Sequence, residues 1–207
     1  CSARDGGDRF DLRIARGAEE KAFAEYWTSN ALFKAGLSHL AWSGFAAIAG
    51  RELKPETRGV QQAALECLTV IQERFPTLEL PAPVVAQLPN YDRGPVLARA
   101  AVVELRKRVG LGRPAADVRA MLKLAEGGGA YETLGRVWTA AHLGDHDETI
   151  LQARAFLALT SLPEGLDRFQ DPVRLLLGRA LYSRGKFSEG AEELRLIRKA
   201  SNELARS

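Results

Sequence analysis

The densest group of side chains able to do chemistry is His142 and His146 with Asp145, Asp147 and Glu148. Two histidines at i and i+4 hold zinc when one continuous helix puts both rings on one face. Gly144 stands between them and should break that helix, leaving Asp145 or Asp147 to cap the next one. No metal is expected there. Cys67 lies between Leu65 and Leu68 in helical text. It reads as a small core residue rather than a nucleophile, and two cysteines make no disulfide framework. His39, in an apolar helical stretch, reads as a hydrogen-bonded core histidine. The run Arg106-Lys107-Arg108 stands at a predicted helix C-terminus, where cations favour the negative end of the dipole. An anionic headgroup or an acidic partner is the other use for such a run. No phosphate loop, nucleophile elbow or Cys-x-x-Cys pair occurs in the sequence. The chain is expected to be no enzyme and to need no cofactor.

The elements that carry these residues are helical throughout. At 207 residues and 46% hydrophobic, the chain can bury a substantial core in one domain or two small ones. Its 19 glycines and 9 prolines fall mostly between periodic segments, and strand-type alternation is lacking, so the fold class is all-α. A net charge of +3 is small for this length and argues against nucleic acid as a partner. No apolar run approaches the roughly 20 residues a membrane span requires.

From the N-terminus, residues 1–17 read as a polar tether. Residues 18–76 form a helical segment: Ala18 to Trp27, Ala31 to Gly50 with Ser29 and Asn30 as caps or a kink, and Glu56 to Phe75. In the last of these, Val60, Ala64, Cys67, Leu68 and Ile71 share a face, and Pro76 stops it. Gly36, Ala41, Gly44 and Ala47 would let another helix approach closely. Residues 77–95 carry most of a proline cluster that resists helix and sheet and reads as a connector. Residues 96–207 read as helix pairs. Gly127-Gly128-Gly129 should separate two of them.

The last pair, Asp171 to Leu204, is the most explicit. Leu175, Leu176, Leu177, Ala180, Leu181 and Tyr182 make an apolar face that ends at Gly185. Ser188 is placed to cap a second helix bearing Ala191, Leu194 and Ile197. Two short helices cannot cover their own apolar faces, so such a hairpin needs a neighbour. Leu177-Gly178, Leu181-Tyr182, Gly185, Phe187, Gly190 and Ile197 resemble a tetratricopeptide repeat, a unit of about 34 residues. GDHDETI from Gly144 echoes GKFSEGA from Gly185, and Tyr131, Leu134, Trp138 and Ala141 form a stripe before it. Leu134-Gly135 sits two residues too early for the family's pair, so either that helix is longer or the pair is accidental. Val96 to Ala125, broken at Gly110 to Pro114, makes a third unit, with Glu104 and Arg108 where apolar residues are expected.

The resemblance implies a short right-handed solenoid of antiparallel helix pairs, in which first helices line a concave groove. Carried over by position, the groove would present Tyr131, Leu134, Trp138 and His142, then Leu175, Arg179 and Tyr182. Aromatics there would grip a segment of a protein partner, and Arg179 would pair a carboxylate. The start Cys1-Ser2 resembles that of a mature bacterial lipoprotein, acylated at Cys1 and held at the periplasmic face of an outer membrane. Together these features resemble pilotins and the repeat lipoproteins of barrel assembly. They imply a scaffold that recruits subunits of an envelope machine for pili, secretion, motility or barrel assembly. A helical small-molecule-binding lipoprotein accessory to a transporter is the alternative.

Overall fold

The computed structural model describes residues 17–75, 78–163 and 165–197. Cys1, most of the expected tether, Pro76 and the stretch from 198 to Leu204 lie outside the described residues. The described chain is all-α and divides into two compact units, the first ending at Asp92 and the second beginning at Arg93.

The first unit holds α1 (Ala18–Lys34), α2 (Ser38–Ala49), α3 (Arg58–Arg74) and α4 (Ala82–Gln87), followed by a 3₁₀ turn, Leu88–Asn90. Helix α1 does not break at Ser29 and Asn30. Both are buried inside it, and Ser29 Oγ donates to the Glu25 carbonyl at 2.8 Å. The break falls instead at Gly36, whose φ of +81° supplies a left-handed corner. Ser29 is where α2 comes close: a Cβ on Gly44 would stand 2.1 Å from Ser29 Oγ. Phe45, Ile48, Leu65, Leu68 and Ile71 fill the core between α2 and α3, and the five face residues expected on α3 are all buried.

Prolines do not keep residues 77–95 extended. Pro81 precedes α4 and Pro83 sits in its first turn, where the missing N–H has no helical acceptor to lose. Leu80, Val84, Leu88 and Tyr91 are buried. The Tyr91 hydroxyl donates to the Ala49 carbonyl at 2.8 Å, so this segment is part of the first unit's core. Gln61 fastens the α2–α3 loop, its amide donating to the carbonyls of Arg51 and Glu52 at 3.1 and 3.2 Å.

The second unit holds α5 (Pro95–Gly110), α6 (Ala115–Ala125), α7 (Ala130–Leu143), α8 (His146–Leu157), a 3₁₀ turn (Asp167–Phe169), α9 (Gln170–Ser183) and α10 (Phe187–Arg195). Each odd-numbered helix packs on the next as a hairpin. In α9 and α10 the pairings Arg174–Glu193, Gly178–Gly190 and Tyr182–Phe187 run in opposite chain order, which makes the two antiparallel. The hairpins turn at Gly112, Gly144 and Gly185, with φ of +61°, +71° and +74°. Only glycine takes this region without a Cβ penalty. Asp145 caps α8 by accepting from the Glu148 N–H at 3.1 Å, whereas Ser188 caps nothing, because α10 already begins at Phe187.

Each hairpin packs on the one before it through its own first helix. Helix α7 packs on both α5 and α6, and α9 packs on α8 and touches α7. Gly135 explains the early Leu-Gly pair: a Cβ there would meet Leu122 and Val102 at 3.2 Å, so it faces the preceding hairpin rather than its own partner helix. The glycine triplet lies between α6 and α7, with Gly128 against Ala98. Buried Glu104 is made tolerable by Arg108, whose Nε lies 3.0 Å from its carboxylate.

Candidate partner-binding face

The expected groove residues do not form one open surface. Tyr131 and Leu134 are 6% and 0% exposed and belong to the second unit's core. The chain between α8 and α9 adds Leu166 and Phe169 to the same cluster. Leu175 and Trp138 are half-buried, while Arg179 and Tyr182 are exposed. The His142 Nε2 lies 2.8 Å from the Arg113 carbonyl, so the ring holds the α5–α6 turn as a donor. His146 is exposed on the far side of Gly144, and no group of three metal-capable residues occurs among the described residues.

His39 is exposed at the start of α2, its ring 5.8 Å from that of Phe75, and not the core histidine expected. Cys67 is buried as expected, with the Tyr26 hydroxyl 3.8 Å from its sulfur. Burial, helped by nearby Glu66, raises the Tyr26 pKa.

What the structure does assemble is centred on Arg106. Its guanidinium carbon lies 5.8 Å from the centre of the Trp138 ring and 5.3 Å from that of Phe169. Arg168 approaches the same Phe169 ring at 4.8 Å. Cations over aromatic faces are attracted by the ring quadrupole. Burial against the rings and the like charge of Arg168 both lower the Arg106 pKa. The indole N–H of Trp138 is buried with no acceptor among the described residues. The basic run therefore splits: Arg108 pairs with Glu104 and the Asp117 carbonyl, while Arg106 turns to the aromatic rings.

Reading along single helices singled out Arg106 only as part of a basic run at a helix end and missed Phe169. The available signal was register: Arg106, Trp138 and Arg179 each stand six residues before a left-handed turn glycine, at Gly112, Gly144 and Gly185. Comparison with known proteins finds no matching family model, curated protein or solved structure. The arrangement of these side chains is thus the material for a functional reading.

Proposed function

We propose that the second unit is a short array of tetratricopeptide-like hairpins acting as a non-catalytic scaffold for a protein partner. The observation that carries this reading is the shared register of Arg106, Trp138 and Arg179. Three helices, each the first of its hairpin, carry a cation, an indole and a cation six residues before their turn glycines, and large aromatic and Arg side chains are the residues on which interfaces depend most. Exposed Tyr182 and Phe187, in edge contact at 5.5 Å, extend the apolar surface at the end of the array. The groups with displaced ionisation have structural causes: Tyr91 by burial, Glu132 by the Arg136 side chain and the Gly127 N–H.

The test is partner binding by a Trp138→Ala, Arg179→Ala protein that keeps its helical signal and melting temperature. Loss of a partner held by the native protein supports the reading, and undiminished binding by the folded variant removes this face from consideration.

Attachment to an outer membrane through acylated Cys1, and service to an envelope machine, extend the proposal from sequence alone. Among the described residues no helix is long and apolar enough to cross a membrane. Fractionation and intact mass of the native protein test the anchor. Acyl mass on Cys1, with release of a Cys1→Ser variant from membranes, supports it. A Cys1 sulfur bonded to Cys67 instead of to lipid would end it.

A further inference from the structure

We infer that the end of the first unit where α1 stops, α2 starts and α3 stops is a seat for an anionic lipid surface. The inference goes beyond the scaffold reading, which concerns the second unit alone. Two ring contacts tie the three helix ends together. The His39 ring lies 5.8 Å from that of Phe75, and the Arg74 guanidinium carbon lies 5.5 Å from the centre of the Phe33 ring. Leu37, Leu40 and Phe75 stand there 49%, 59% and 38% exposed. Single exposed apolar side chains are ordinary, but large ones gathered at one tip and rimmed by polar groups mark a docking surface. The rim is basic. Lys34, His39 and Arg74 are exposed, and neither Lys34 nor Arg74 has a carboxylate partner among the described residues. From Tyr26 to Arg51 the sequence contains no acidic residue, and Glu73 and Glu79, on either side of Phe75 in the chain, each have an interaction of their own. Lys34 and Arg74 also suit the negative ends of α1 and α3, but that use calls for no exposed leucines. Apolar side chains that enter the headgroup boundary, with cations around them to meet phosphate groups, are what an interfacial surface requires. A second copy docked tip to tip would instead set like charges against each other.

The test is flotation of the full chain, purified without acyl chains so that Cys1 contributes no anchor. The vesicles are of phosphatidylcholine alone, or of equal parts phosphatidylcholine and phosphatidylglycerol. The mixed vesicles should carry the protein up the gradient, less so as salt rises, and the neutral ones should not. Leu40→Glu, which removes an apolar contact and adds a repelled charge, should weaken binding about tenfold or more. Lys34→Gln and Arg74→Gln should each weaken it about fivefold, the share of one cation near an anionic surface. All three side chains are exposed, so the variants should melt with the native protein. Leu151→Glu, at an exposed leucine on α8, should change nothing. Equal losses for Leu151→Glu would mean indiscriminate adhesion and overturn the seat. So would equal flotation with both kinds of vesicle, or flotation with neither. Release by millimolar glycerol phosphate would mark a site for free phosphate, and release by micromolar hexaglutamate would assign the tip to an acidic protein segment; either overturns the inference. Sedimentation equilibrium supplies the last arm: a dimer that Leu40→Glu converts to monomer would give the tip to a second copy instead.

Discussion

Gly178 on α9 and Gly190 on α10 face each other so closely that a Cβ on either would crowd the other's backbone. One on Gly190 would lie 3.1 Å from the Gly178 carbonyl oxygen and 2.6 Å from the Tyr182 ring, and one on Gly178 would lie 2.8 Å from Leu194. Two helices touch at their glycines here, and the hairpin's registration depends on that contact.

Gly178→Ala and Gly190→Ala should each destabilise by up to about 2 kcal/mol, because overpacking of roughly 1–3 kcal/mol is offset by about 1 kcal/mol from alanine's better helix propensity. The two should not be additive, since both push on one contact. Chemical denaturation of the single and double variants measures the coupling, and additive losses would show that the glycines do not meet. Gly190→Val has no such compensation and should cost about 2–3 kcal/mol.

Ser29 and Gly44 make the corresponding contact in the first unit. Gly44→Ala should destabilise by about 1–3 kcal/mol, since its Cβ would overlap the Ser29 hydroxyl, held in place by its hydrogen bond to the Glu25 carbonyl. Adding Ser29→Ala removes the clashing oxygen and should restore part of the loss. A double variant less stable than Gly44→Ala alone would contradict this packing.

Much of this was legible in the sequence, and the failures have physical causes. The turn at Gly144 and the apolar face of α3 follow from local chemistry and appear as read, and of the two aspartates offered as the cap of α8 it is Asp145 that serves. Tyr131 and Leu134 were misplaced because they are buried in a core cluster to which α5, α8, α9 and the segment holding Leu166 and Phe169 all contribute, and no single helix's periodicity shows that assembly. The α4 segment was misread because five prolines in twenty residues signal a breaker, although Pro83 in a first turn breaks nothing. Arg106 looked like a partner for the helix dipole, and its ring contacts depend on two elements distant in sequence.

Glu132 gives a pH test. Hydrogen bonds from Arg136 and the Gly127 N–H, with the Arg136 charge, lower its pKa against partial burial, so its stabilising effect is present at neutral pH. It is lost as pH falls from the ordinary glutamate value through the lowered one. Glu132→Gln should therefore lower stability at pH 7, by about 0.5 kcal/mol for so accessible a group, and make no difference well below pH 4. Melting temperatures of both proteins between pH 3 and 7 should converge on the acid side; a constant gap would contradict the assignment.

The most direct measurement of the scaffold claim is photo-crosslinking in native extracts from a benzoylphenylalanine in place of exposed Tyr182 on α9, compared with one at position 151 on the exposed side of α8. The account predicts one defined adduct from position 182, suppressed by Trp138→Ala in the same chain, and none from position 151. Equal adducts from both positions, or an adduct at 182 indifferent to Trp138, would contradict it.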